Sequence, residues 1–274
     1  MPEDLGKEIA VEAAKTVAVE GYKDTLQPAL KAVGSVIALP FQAIDAALAK
    51  PKLWVAEKQF NYERTHKLLA EKMRDTPEEL IVPPENYVAV PALQQIAYCY
   101  DSDELRDMYA NLLANSMNKV VKNGVHPGFV DIIKQLSPDE AKILKYMSSN
   151  KVLPTISLRY SHNDGGEIDV IKNFSNVGEI VGCENPKDIA KYFDNLIRLG
   201  LIVKEELSSL TDKTKYEPLK NHRWIQLYAT DEKAKASGFD KFSFSESFVN
   251  LTNYGEDFCS ICLETKKVIV VNVK

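Results

Sequence analysis

Between Lys31 and Asp45 the chain runs for thirteen residues, Ala32 to Ile44, without one charged side chain. Nothing else in the sequence restricts its folding as strongly, because such a run has to be covered by something apolar. Val33, Val36, Ile37, Ile44, Ala47 and Leu48 recur at helical spacing, with Phe41 among them, while Lys31, Ser35, Gln42 and Asp45 take other positions. Pro40 should kink or split the helix. A spanning helix wants about 20 apolar residues, so the run is short for a single-pass anchor. It reads as a buried helical hairpin, as a segment over 29–49 that enters a membrane conditionally, or as a partner-binding face. The residues that would make the membrane or partner contact are Val33, Val36, Ile37, Phe41, Ile44 and Leu48.

With 274 residues, 45% of them hydrophobic and 27% charged, the rest of the chain has the balance of an ordinary globular protein, which excludes a disordered or collagen-like one. The net charge of −5 gives no general attraction for nucleic acid or anionic lipid, so any such binding needs a local patch. Charges interrupt the N-terminal MPEDLGKEIAVEAAK where a secretion signal needs an apolar core. The expected location is the cytoplasm, with a conditional peripheral place at the inner membrane face. Cys99, Cys183, Cys259 and Cys262 are too few and too unevenly spaced for a disulfide framework. Phe258, Ile261 and Cys262 fall on one helical face, so the Cys259-Ser260-Ile261-Cys262 run is expected to pack in a core rather than hold zinc.

Along the chain the organisation is helical at first. Residues 5–24 and 54–74 read as helices, the latter amphipathic, and Pro91 is expected to open a short helix containing Leu93 and Ile96. Asp101 or Ser102 can cap the next helix, with Asp103 and Glu104 in its first turn. Ser137-Pro138-Asp139-Glu140 has a cap, a first-position proline and a third-residue glutamate, and starts a helix to about Ser149.

Several of these pieces together resemble the abortive-infection-alpha family, a bacterial group associated with resistance to phage. The match is carried by Pro83-Pro84-Glu85-Asn86, by Pro91-Ala92-Leu93 with Ile96, by Leu105 through Ala114, by His126-Pro127, and by Phe129-Val130 with Ile132 through Ala141. It resumes at Leu251-Thr252, Gly255, Phe258 and Cys262. The resemblance implies a role in antiphage defence and brings with it no settled enzymatic activity or cofactor.

The fold expected is mainly α with a small β component, an N-terminal helical region followed by a winged-helix-like α+β domain. Residues 1–80 form the helical region, 81–136 the linking core helices, and 137–274 the winged-helix-like domain with a terminal strand at 266–274. In that domain the reading places a strand at Leu158–Tyr160, a helix around 169–181, a recognition-type helix over 186–198 ended by Gly200, and a wing hairpin over 201–230 whose second strand is Trp224–Thr230. Lys187, Lys191 and Arg198 are the nucleic-acid candidates, but Asp188 and Asp194 share their helix, which disfavours a duplex reader. No phosphate loop, dinucleotide fingerprint, zinc-protease helix or nucleophile elbow occurs, so the expectation is a non-enzyme without cofactor or metal. Its expected partner is a protein or a second copy of the chain, acting by contact.

Overall fold

The computed structural model describes residues 59–96, 99 and 102–264, with side chains from His66 onward. The helix expected over 5–24, the uncharged run with its six contact candidates from Val33 to Leu48, and the strand expected at 266–274 lie outside the described residues. What is described is mainly helical with one small antiparallel sheet, and divides into two compact units, one of the described residues from 59 to 135 with 261–264, the other residues 136–260.

In the first unit, α1 (Gln59–Met73) buries His66, Leu69 and Met73 at helical spacing. The second helix, α2 (Asn86–Ile96), buries Val88, Ala89, Ala92 and Ile96. Pro91 lies inside α2 instead of opening it, which corrects the sequence reading. The ring's missing N–H deprives only the carbonyl of Tyr87, an exposed residue where solvent is at hand. Ser102 starts α3 (Asp103–Ser116): its backbone is extended and its hydroxyl accepts from the Leu105 N–H at 3.2 Å. From Met108 to Ser116 every residue of α3 is buried, because α1, α2 and α4 (Gly128–Lys134) pack around it. Such a helix has to be apolar or small on all sides, and Ala110, Leu112, Leu113 and Ala114 meet that demand. Each buried leucine contributes about 1.5–3 kcal/mol over an exposed one. Tyr109 is buried but donates its hydroxyl to the Val130 carbonyl of α4 at 3.2 Å.

The second unit opens with α5 (Pro138–Ser149), and its capping box forms as the sequence indicates: the Ser137 hydroxyl accepts from the Glu140 N–H, and Glu140 accepts from the Ser137 N–H at 2.7 Å. β1 (Val152–Ser161) turns through Gly165 and Gly166, both at positive φ, into β2 (Glu167–Phe174), pairing Tyr160 with Ile168. This corrects the helix expected over 169–181. A hairpin turn feeding apolar and polar residues in alternation selects a strand, and only Val177–Ile180 is helical (α6). A 3₁₀ turn at Pro186–Asp188 then leads into α7 (Ile189–Arg198), which buries Ile189, Tyr192, Phe193 and Leu196 and ends at Gly200 with φ of 73°.

β3 (Ile202–Glu205) follows, but its partner is not Trp224–Thr230. The wing hairpin expected over 201–230 is therefore also corrected. The intervening segment forms α8 (Glu217–Lys220), α9 (Arg223–Gln226) and α10 (Asp231–Ala236). Ile225 and Ala229 are buried four residues apart while Leu227 and Tyr228 are exposed, which is a helical burial pattern rather than strand alternation. The strand that completes the sheet is β4 (Lys241–Leu251), which runs between β1 and β3 in the order β2-β1-β4-β3. Tyr216 donates its hydroxyl to the Ser247 carbonyl at 3.0 Å, and Lys213 and Lys220 both pair with Glu246, tying the segment before α8 and α8 itself to β4. Finally α11 (Asn253–Cys262) begins in this unit; Gly255 approaches the backbone just before β3 so closely that a Cβ there would lie 1.9 Å from the Leu201 carbonyl oxygen.

Candidate functional site

Two polar clusters in the second unit are candidates, and both are built by the segment 174–192. The first is centred on Asp139 in the first turn of α5. Its carboxylate accepts from the Glu184 N–H (3.0 Å), the Asn185 N–H (3.2 Å), the Tyr192 hydroxyl (2.9 Å) and the Lys142 ammonium (3.3 Å). Burial alone would raise its pKa, but the Glu184 N–H, the Tyr192 hydroxyl, the Asn185 N–H and Lys142 together hold it below the usual carboxylate range. Burial and the same carboxylate push the Tyr192 phenol up. Cys183 beside them is buried, and burial together with Asp139 pushes its thiol up to about 11, so it is not a thiolate at neutral pH. These bonds hold the Glu184–Asn185 backbone and, through Tyr192, α7 against α5, while Lys142 pairs with Asp139 along α5 itself.

The second cluster faces solvent. Gly178 in α6 lets Pro186 approach so closely that a Cβ would stand 3.0 Å from the Pro186 Cα, which brings Glu179 and Lys187 to one place. At the start of α9, His222 caps the helix: its Nδ1 accepts from the Trp224 N–H at 3.3 Å. With Nδ1 acting as acceptor, Nε2 carries the proton and donates to Glu179 Oε2 at 3.0 Å. The other carboxylate oxygen accepts from Arg223 Nη2 at 3.0 Å. His222 is the main reason the Glu179 carboxyl lies below its ordinary range; burial opposes the shift and Arg223 adds to it. Trp224 meets Phe174 and His222 at steep interplanar angles, 77° and 70°. Over its ring stand two cations, Lys187 Nζ at 5.1 Å from the centroid and Arg223 Cζ at 5.4 Å.

Of the three nucleic-acid candidates, only Lys187 joins this cluster. Lys191 is exposed and pairs with Asp188 at 3.6 Å, and Arg198 donates to the Asn195 side chain from Nε (3.0 Å) and Nη2 (2.7 Å). Trp224, Arg223, His222 and Glu179 were missed by sequence reasoning, which took 224–230 as a strand. The usable signal was the His222-Arg223-Trp224 run itself, an aromatic with a cation and an imidazole in direct succession. His162 stacks on Phe239 at 4.6 Å near Asp240, and Cys259 and Cys262 are buried in α11. Among the described residues no three His, Cys, Asp or Glu side chains converge as metal ligands would, and no helix is long and apolar enough to cross a membrane.

The first unit contributes a different kind of polar arrangement. Asn115 Nδ2 donates to the carbonyls of Ile261 (2.7 Å) and Glu264 (2.8 Å), and Asn111 Nδ2 to that of Cys262 (3.0 Å). Two amides one turn apart on α3 thus serve carbonyls that the end of α11 leaves without helical donors. Leu105 to Ala114, with Cys262, are residues that carry the family resemblance, so the match rests on packing and capping as much as on surface chemistry.

No curated protein matches the chain. A solved structure of an uncharacterized protein from the hydrocarbon-degrading marine bacterium Alcanivorax borkumensis SK2 is 21% identical, covering 48% of this chain and 90% of that one, with a TM-score of 0.34. The family model for abortive infection alpha matches residues 57–262, most of the chain and all but the margins of the described residues. On that match, the chain belongs to the abortive infection alpha family.

Proposed function

We propose that this protein acts in abortive infection as a phage-defence protein, and does so without catalysis, through contacts with a protein partner or a second copy of itself. The observation that carries the reading is the family match over 57–262. The Asp139 cluster supports the non-catalytic part, since its bonds hold the Glu184–Asn185 backbone and α7 against α5. The uncharged run 32–44 supports a second arm: residues 29–49, with Val33, Val36, Ile37, Phe41, Ile44 and Leu48, perturb the inner membrane face when the defence is triggered, and the protein otherwise stays in the cytoplasm.

Plaque counts with and without the gene test the defence role, and equal counts across a broad phage panel would refute it. Flotation and dye leakage with anionic liposomes, using the full chain and a deletion of 29–49, test the membrane arm. Leakage that survives the deletion, or no association after addition of infected-cell extract, would remove it. A duplex-groove role for α7 is not favoured, because Lys191 and Arg198 are engaged by Asp188 and Asn195, and Asp194 is exposed on the same helix.

A further inference from the structure

We infer that Trp224, with Lys187 and Arg223, forms a binding site for an unpaired nucleotide: the indole stacks on the base, and the two cations take the phosphate. Three observations carry this. Trp224 is partly exposed, and among the described residues no aromatic ring lies parallel on it: Phe174 and His222 meet it at 77° and 70°. Lys187 is exposed and, among the described residues, has no carboxylate within ion-pair distance; its ammonium stands over the indole instead. Arg223 is 75% exposed and spends only Nη2 on Glu179, so that its Nε and Nη1 donors face no described acceptor.

A partly exposed aromatic with two cations over its ring, each keeping unspent donors that can turn to a phosphate, matches one class of ligand better than the others. An inorganic anion or an acidic peptide would use the cations and leave the indole idle. A quaternary ammonium would use the indole and be repelled by the cations. A planar π-rich base joined to a phosphate uses both, stacking on the ring while the guanidinium and ammonium contact its oxygens. A base inside a duplex is already stacked and paired, so the ligand is a free nucleotide or a single strand. Glu179 orients the site: it holds Arg223 and, through His222, the start of α9 that carries Trp224. This inference is independent of the membrane arm, and its test involves no lipid.

The chain has two tryptophans, so Trp54→Phe leaves Trp224 as the sole indole reporter in the full-length protein. AMP, inorganic phosphate, a short oligothymidylate and a duplex of matched length are titrated at low salt. AMP or the single strand should quench Trp224 fluorescence saturably, whereas inorganic phosphate and the duplex should not. Lys187→Ala and Arg223→Ala should each weaken binding about tenfold, with unchanged urea midpoints because both side chains are exposed. Trp224→Phe, read by anisotropy of labelled strand, should keep part of the affinity. Neutralising that one phosphate of a single strand predicts a log affinity against log salt slope of about −0.7. Affinity rising with strand length assigns a strand as ligand, and AMP binding equally well assigns a free nucleotide. The site is refuted if neither AMP nor strand quenches saturably, if the Lys187→Ala/Arg223→Ala double variant binds undiminished, or if the duplex binds as tightly as the single strand.

Discussion

In the first unit the polar side chains with a defined task, Asn111 and Asn115, are buried in the middle of α3; in the second unit Lys187, Arg223 and Trp224 stand at the surface. Asparagine is a poor helix former, because its side chain competes for backbone groups. In α3 that competition is turned on another segment, the carbonyls at the end of α11, so the local cost is offset by satisfying groups that burial would otherwise leave unbonded. The surface group of the second unit satisfies no backbone outside its own turn apart from the His222 cap. The comparison teaches that the residues carrying the family resemblance need not be those that meet a ligand. Leu105–Ala114 identify the chain largely through its core, while its accessible chemistry lies in a segment whose fold sequence reasoning misread.

Substitutions can break this comparison, and the largest effect belongs to neither polar group. Gly255→Ala puts a Cβ 1.9 Å from the Leu201 carbonyl oxygen and 2.8 Å from its carbon, both backbone atoms. The second unit is expected to lose about 3 kcal/mol or more, read as a lowered urea midpoint. A midpoint like that of the wild type would show that α11 does not seat against the Leu201 backbone. Asn115→Ala comes next. It strips donors from two carbonyls, and about 2 kcal/mol should go from the first unit, with Asn111→Ala costing less because it serves one. Faster amide exchange in residues 258–262 would confirm that the end of α11 has frayed. If Asn115→Ala left both exchange and midpoint unchanged, the two amides would be no more than tolerated polar residues.

Asp139→Asn is expected to cost about 1–2 kcal/mol at neutral pH, since an amide cannot accept from all four donors. The sign of its pH dependence follows from the lowered carboxyl. A group whose folded pKa lies below its unfolded value stabilises the folded state above the unfolded value, and that contribution vanishes as pH falls through the folded one. The gap between wild type and Asp139→Asn should therefore be full at neutral pH and close only below the ordinary aspartate range, near pH 4. A gap that widened on acidification would overturn the assignment of Asp139 as an ionised structural acceptor.

What could be read in advance was what neighbouring residues decide among themselves. The caps at Ser102 and Ser137, the stop at Gly200 and the helix after Pro186 each depend on a few adjacent side chains, and the structure has them where the sequence places them. Residues 224–230 misled because Trp, Ile, Leu and Tyr in close succession suit a strand. The decision went instead to burial of Ile225 and Ala229 on one side, and to a cap supplied by His222. The β4 strand was passed over although Phe242, Phe244 and Phe248 alternate with Ser243, Ser245 and Ser247, because its partners β1 and β3 lie about ninety and about forty-five residues back. The Trp224 cluster is non-local in the same way: Lys187 reaches the ring only because Gly178 lets Pro186 come close, and no helical spacing links 187 to 224.

The smallest effect sharpens the comparison between the units at equivalent positions. Ser102 and Ser137 both cap helices, and replacing either by alanine should cost about 1 kcal/mol. The more elaborate cap is expected to be the more tolerant one. At 137 alanine removes the hydroxyl that accepts from the Glu140 N–H and donates to its carboxylate at 3.0 Å, but the Ser137 backbone N–H still donates to Glu140, whose other oxygen is held by Asn195 at 2.8 Å. At 102 the hydroxyl is the acceptor for the Leu105 N–H and also donates to Glu104 at 3.3 Å, so one truncation removes the whole side-chain cap. Ser102→Ala should therefore exceed Ser137→Ala by a few tenths of a kcal/mol, seen as faster exchange at residues 103–106 than at 138–141 once each is referenced to wild type. The reverse order would mean that Asn195 does not hold Glu140 in place, and that the box at α5 depends on its serine as fully as the simpler cap at α3.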